Sequence, residues 1–372
     1  MRLSIPSLML ALAGAAHAGK DTTSFAVLRF NTEPGNFSAA GQMDPVVFPG
    51  QKSPHVHGIM GGSNFGLTIN GDQLKKSKCS NAKIKNDKSN YWVPTVWFQS
   101  PVNGTFKQVP LDYMNVYYFF EATDDAIKPF PLALKMVSGD ALTRTAPATG
   151  ALQLDPTKGK IQPVQWTCPT KNTVAHYPES SDGKHGGLQD PQNPQSGAGF
   201  PVVDCDGANS PLRQDITFPS CYDPSKAVDD YKNNMVYATP VPNSNKVNCP
   251  KGFLHVPHLF YEVYYDTTLF SNAWTRDGKK QPFVLSDGDR TGFSSHGDFV
   301  AGWDDATLQA LIDTCDVGTH PVNGGGNGME TCPNIIGGVN SGNDCPIHAD
   351  YPVPAGEWLS ALPGNNPITG WD

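Results

Sequence analysis

Beyond its first eighteen residues the sequence has no apolar run long enough to cross a bilayer, so a helical membrane protein is not expected. None of the eight cysteines falls in a C-x-x-C pair, which argues against a zinc ribbon or a thioredoxin-type site. Basic blocks are confined to Lys75, Lys76 and Lys78 and to Lys279 and Lys280, and the net charge is −8. Nucleic acid and strongly acidic polymers are therefore excluded as expected partners, and a neutral or amino-sugar polysaccharide suits the balance better. The glycine-rich run at 323–328 lacks the Lys-Ser/Thr of a phosphate loop and reads as a surface loop closed by Cys315 and Cys332. Glutamate is scarce and no internal repeat is evident.

What is present points outward from the cell. Met1-Arg2, an apolar run to Ala16 and the small-x-small triplet Ala16-His17-Ala18 predict a signal peptide over residues 1–18 and a secreted mature chain from Gly19. The eight cysteines then predict four disulfides, with the pairing left open. Asn36-Phe37-Ser38 and Asn103-Gly104-Thr105 are glycosylation sequons and mark surface loops. With 37 Gly and 33 Pro, the chain is rich in loops that need those bridges.

Short alternating runs carry the fold. Ser24–Phe30, Tyr91–Phe98, Met114–Phe120, Leu132–Met136 and Leu254–Asp266 are aromatic or β-branched and bounded by turn residues, the pattern of strands. The stretch from Pro163 to Val247, rich in Pro, Gly, Asn, Asp and Ser, reads as long disulfide-held loops over the sheet. One helix is expected, capped by Asp304, with Leu308, Leu311, Ile312 and Cys315 on one face. The fold class is mainly β, a β-sandwich or jelly roll with long disulfide-held loops and few short helices, in a single domain over 19–372.

The chemistry concentrates in two stretches. In Ser53-Pro54-His55-Val56-His57, an extended backbone puts both imidazoles on one face. The second stretch, 286–303, supplies His296 and Asp298. His55, His57 and His296, with Asp298 or Asp44, form a possible metal-ligand set; the same groups without metal form a proton-transfer set, with Asp298 orienting a ring. Glu121 and Glu262 each share a strand face with aromatic rings, where a raised pKa would suit a general acid, although ordinary pairing at a strand end competes with that reading. Substrate contacts are expected from Asp44, Ser63, Asn64, Trp92, Tyr117, Tyr261 and Trp303, against a background in which most aromatics fill the core. The Asp287-Gly288-Asp289 triplet reads as a tight turn ahead of a calcium site. A divalent metal is thus a possible cofactor, and a monomer is the expected state.

Asp44-Pro45-Val46-Val47, Pro49-Gly50, His55-Val56-His57 and Gly61-Gly62-Ser63-Asn64-Phe65 open a series of ordered blocks. Ser89-Asn90-Tyr91-Trp92, Leu212 to Cys221, Phe260-Tyr261-Glu262-Val263, Gly288 to Gly292, His296 to Phe299 and Gly302-Trp303 continue it. Taken together, the blocks resemble the secreted fungal family known as domain of unknown function 1996. The resemblance implies a secreted fungal protein with a role at the cell wall, in a family sometimes fused to carbohydrate-binding WSC modules. The chain departs from that pattern at Gln42-Met43, Tyr222 to Pro224, Asn234-Met235 and Lys251 to Leu254. The expectation that follows is action on a cell-wall polysaccharide by hydrolysis or elimination, the alternative being a non-catalytic wall-binding or effector-type protein.

Overall fold

A computed structural model describes residues 19–371 apart from 33–35, 172–175, 179–183, 208–210, 322–325, 343–344 and 355. The signal-peptide segment 1–18 lies outside the described residues.

Two antiparallel sheets form a sandwich. The larger has seven strands in the order Ser24–Arg29, Leu111–Phe120, His258–Tyr265, Leu212–Thr217, Val164–Thr167, Ser196–Ala198 and Leu188–Gln189. The smaller has five, in the order Ala39–Gly41, His57–Gly61, Asn90–Pro94, His296–Val300 and Lys135–Gly139. Alternation along each strand turns one side chain in two to the space between the sheets. Leu28, Val116, Tyr118, Tyr261, Val263 and Ile216 meet Met60, Tyr91, Val93, Phe299 and Met136 in one buried core. Polar tips that enter this core are matched across it: Tyr261 Oη donates to the Asp298 carbonyl at 2.9 Å, and the Tyr91 and Tyr118 hydroxyls lie 2.6 Å apart. Trp303 Nε1 donates to Tyr118 Oη, so that indole is a core group.

The 90–99 run is broken at buried Thr95 into Asn90–Pro94 and Val96–Gln99, which serve different sheets. The second half pairs with Phe283–Leu285 and Phe106–Gln108 in a four-stranded sheet. The outer face of the five-stranded sheet is covered by a second cluster in which Met43, Val46, Phe65, Ile69 and Leu74 pack on Ile59, Trp92 and Val300.

The predicted helix forms as Asp305–Thr314: Asp304 accepts from Thr307 N, and Leu308, Leu311 and Ile312 are buried. Four disulfides join Cys79 to Cys345, Cys168 to Cys205, Cys221 to Cys249 and Cys315 to Cys332. The 163–247 stretch differs from its expected character. It contributes Val164–Thr167 and Leu212–Thr217, two inner strands of the larger sheet. Its strands are short, and on their outer face they carry Gln165, Thr167, Arg213 and Asp215, so the alternation is masked by polar residues. No helix among the described residues is long and apolar enough to cross a membrane.

Candidate functional site

The histidine segment is fastened on several sides. The Val56 carbonyl, between the two histidines, accepts from Thr95 N at 3.1 Å and Ser286 Oγ at 2.7 Å. Ser53 N donates to the Gln42 carbonyl at 2.9 Å, the Gln42 side-chain amide returns a bond to the Ser53 carbonyl at 3.1 Å, and the Asn366 amide donates to the Pro54 carbonyl at 2.8 Å. His57 opens its strand, whereas His55 sits in the bend before it. Even so, their Nε2 atoms lie 3.0 Å apart.

His296 and Asp298 project from the same face of their own strand, two residues apart. The turn before them is held by Asp289, whose carboxylate accepts from Thr291 N, Thr291 Oγ1 and Ser294 N. Those bonds are Asx-type, as the sequence predicts for this triplet. Gly288 takes φ +88° there, and a Cβ would meet the Pro367 carbonyl at 2.1 Å, so only glycine fits. The turn delivers the Ser294 carbonyl to His296 Nδ1 at 2.8 Å.

His296 Nε2 lies 3.3 Å from His55 Nε2 and 3.4 Å from His57 Nε2. Three ring nitrogens thus share one small space. A backbone carbonyl can only accept, so the Ser294 carbonyl puts the His296 proton on Nδ1, and the Met43 carbonyl, 2.9 Å from His57 Nδ1, does the same there. Both rings therefore turn Nε2, the nitrogen left free for a ligand, to the center. A single proton on His55 Nε2 can serve one of them at a time. Beside them, Asp298 Oδ2 is 4.0 Å from the Nε2 of both His57 and His296, and neither Asp298 oxygen has a hydrogen-bond partner among the described residues.

The center is enclosed: His57 and Asp298 are fully buried, and His55 and His296 are 4% and 3% exposed. Burial, reinforced by the neighboring rings, holds His55 and His57 well below the usual histidine range. Burial pushes the Asp298 carboxyl well up, and the negative charge of Asp44 adds to the rise. Asp44 is itself buried and raised, with Oδ1 accepting from Val46 N and Val47 N, so it shapes the turn over the center.

The donor set is chemically specific. Three imidazole nitrogens and a carboxylate suit zinc and its first-row neighbors rather than magnesium or calcium, which favor oxygen. Tetrahedral coordination at zinc–nitrogen bond lengths requires nitrogens about 3.3 Å apart. The observed 3.0, 3.3 and 3.4 Å bracket that value. Asp298 is further out, and its side chain must swing inward to ligate.

A groove of about 740 Å³ runs along the free edge of Lys135–Gly139. It is lined by Gly139, opposite His296, and by Ser295, next to it in the chain, with Phe293, Tyr237, Lys158 and Lys232 further along. The four metal-type groups do not line it.

Other expected site residues lie elsewhere. Trp92, Tyr261 and Trp303 are interior, at 0%, 0% and 4% exposure, and are packing groups rather than surfaces for sugar rings. Ser63 Oγ accepts from Lys78 N and Cys79 N, and Asn64 Nδ2 donates to the Gln73 carbonyl, which commits both to holding the 73–79 segment. Glu121 lies just past its strand and accepts from His258, Ser220 and His255 at 2.8, 2.9 and 3.2 Å. Although burial acts to raise its pKa, those histidines win and hold it well below the usual range, the opposite of what a general acid needs. Glu262 does sit among aromatic residues, but Arg213 Nη1 is 2.8 Å from its carboxylate. The raised carboxyl on that face is Asp215, pushed up to about 6 by burial against the pull of Arg213. Sequence reasoning missed Asp215, His255 and His258; the polar alternation Arg213, Asp215, Thr217 was the available signal for the first.

Residues 44–303 match the family model described as Domain of unknown function (DUF1996). The chain belongs to that family. The matched stretch of the DUF1996 chain contains His55, His57, His296 and Asp298, the groove beside them and the Arg213, Asp215 and Glu262 group. No curated protein and no solved structure matches it.

Proposed function

We propose that this DUF1996 chain is a secreted metalloprotein that binds a divalent ion of the zinc type through His55, His57 and His296, with Asp298 as the oxygen donor, and acts on a cell-wall polysaccharide by hydrolysis or elimination. The observation that carries the metal is the meeting of three Nε2 atoms within 3.0–3.4 Å beside a buried carboxylate with no hydrogen-bond partner among the described residues. Such an arrangement is costly unless something fills it, because buried lone pairs and carboxylates require partners. When bound, the ion would polarize a sugar oxygen or lower the pKa of a water.

The chain's own groups do the rest. The Met43 and Ser294 carbonyls fix two ring tautomers and orient the rings, the outer-shell role such carbonyls commonly fill. Asp298 supplies a negative charge against the cation. The groove reaching Gly139 and Ser295 supports a polymer lying beside His296. Four disulfides suit an oxidizing compartment.

One observation favors a second reading, in which the ion only fixes the loops of a wall-binding protein: all four ligand groups are enclosed, as in structural metal sites. The test incubates the purified protein, with and without EDTA, with fungal and plant wall polysaccharides, using His55→Ala as control and mass spectrometry as readout. Saturated oligosaccharides lost on EDTA treatment indicate metal-dependent hydrolysis, and unsaturated ends indicate elimination. Retention on a polymer without products establishes the wall-binding reading instead.

A further inference from the structure

The described arginines are paired, with one exception. Arg29, Arg144, Arg213 and Arg276 each have a carboxylate oxygen within 3.5 Å, on Glu330, Asp287, Asp215 and Asp204. Arg290 forms no ion pair with any described residue, and its side chain donates to one described acceptor, Gln99 Oε1. It is half-buried, and burial alone acts on its pKa, pulling it down. A cation withdrawn from water calls for a counter-charge, and the chain supplies none here.

That guanidinium lines a cavity of about 500 Å³, within the size range of small-ligand sites. Lys279 and Lys280, the basic pair of the sequence that the histidine center leaves unused, line it too, against the single carboxylate of Asp277. In a chain of net charge −8 this is a local reversal of sign. The Trp274 indole forms another part of the lining; its ring meets Phe283 at 75°, and its Nε1 is buried with no partner among the described residues. The walls are held in place. Gln281, 3% exposed, donates from Nε2 to the carbonyls of Phe283 and Arg290 at 3.0 and 2.9 Å. The Pro282 carbonyl accepts from Gln99 N at 2.9 Å, and Asp204 holds the segment carrying Trp274 by accepting from Ser271 Oγ at 3.1 Å and from Arg276 at 2.8 Å.

A guanidinium fork matches a planar carboxylate with two parallel bonds, and an indole offers a flat apolar face to a sugar ring. We infer that this cavity binds an acidic sugar, a uronic-acid unit whose carboxylate lies on Arg290 and whose ring lies against Trp274. The net negative charge of the chain disfavors a polymer charged at every unit, so the unit is a chain end or a side branch. The choice of a sugar rests on the polysaccharide reading above, but the cavity shares no lining residue with the groove and contains none of the histidine center.

Calorimetric titration of the full protein with methyl glucuronoside, methyl glucoside and inorganic phosphate tests this, with and without EDTA. The glucuronoside is expected to bind at least about tenfold more tightly than the glucoside, which lacks the carboxylate, and than phosphate, which lacks the ring. Arg290→Lys keeps the charge but loses the fork and should weaken glucuronoside binding about tenfold. Replacing both exposed lysines, Lys279→Ala with Lys280→Ala, should weaken it about threefold and flatten its salt dependence without moving the melting temperature. EDTA leaves binding unchanged. No glucuronoside binding, equal affinity for the glucoside, phosphate binding as tightly, binding unaffected in both variants, or binding abolished by EDTA would each overturn the assignment. Glucuronoside binding by a protein that neither cleaves nor retains any wall polymer would refute the polysaccharide reading and leave this site standing, whereas a polymer cleaved without glucuronoside binding would refute this site alone.

Discussion

Two clusters of histidine and carboxylate lie in this molecule, and they have opposite electrostatic character. Around Glu121, three donors converge on one carboxylate, and His255 also lies 3.2 Å from Asp125 Oδ2 through its other nitrogen. Around Asp298 the carboxylate accepts from none of the described residues, and three imidazole nitrogens face each other instead of facing donors. The carboxyl pKa moves down in the first cluster and up in the second. Identical residue types thus form a finished ion network in one place and an unfinished coordination shell in the other. What separates them is whether each lone pair already has a donor, not whether the groups are buried.

Substitutions can break that contrast. The largest effect is expected for His57→Ala, which removes one of three nitrogen donors and should lower zinc affinity by more than about 100-fold, since even outer-shell changes cost 10- to 100-fold; competition against a chelating dye measures it. Next, Glu121→Gln should destabilize the protein by about 2 kcal/mol at neutral pH, with or without metal, because it removes charge-assisted bonds from a nearly buried group. The sign with pH follows from the direction of its shift. A carboxyl held below its ordinary value of about 4.3 stabilizes the fold above that pH, and the contribution is lost as pH falls through the folded value. The gap between Glu121→Gln and the parent in urea melts should therefore begin to narrow below about pH 4 and shrink further as pH falls.

Ser220→Ala removes one neutral donor from the same carboxylate and should cost about 1 kcal/mol. The smallest effect is expected for Asp298→Asn without metal. Burial raises the Asp298 carboxyl well above its usual range, so its charge is costly to keep there, and an amide of the same shape removes that charge; the metal-free variant should therefore melt no lower than the parent. With zinc present the same variant should lose the stabilization that the parent gains. A large metal-free loss in Asp298→Asn would make the two clusters alike.

Much of this was legible beforehand, for identifiable reasons. The His-x-His spacing and the His296 and Asp298 pair are local patterns; a strand's two-residue period carries the second pair into the structure, whereas His55 reaches His57 from the bend before its strand. The Asp304 cap and the Leu308, Leu311 and Ile312 face are equally local and form as the sequence predicts. The long-range pairings were not legible. Nothing near Glu121 in sequence announces His255 and His258: His258 reaches it because His258–Tyr265 pairs with Leu111–Phe120, and His255 because it pairs with Cys221 and bridges to Ile127. The 163–247 strands escaped notice because their outer residues are polar and their runs are two to six residues long. Trp92, Tyr261 and Trp303 carry no sequence mark that separates a core aromatic from an exposed one.

Titrating EDTA-stripped protein with zinc, while following the melting temperature and the bound metal per chain, tests the central claim most directly. The account predicts one ion per chain and a raised melting temperature in the parent, with both lost in His57→Ala. Zinc that fails to bind, or that binds and stabilizes His57→Ala as well as the parent, would contradict it.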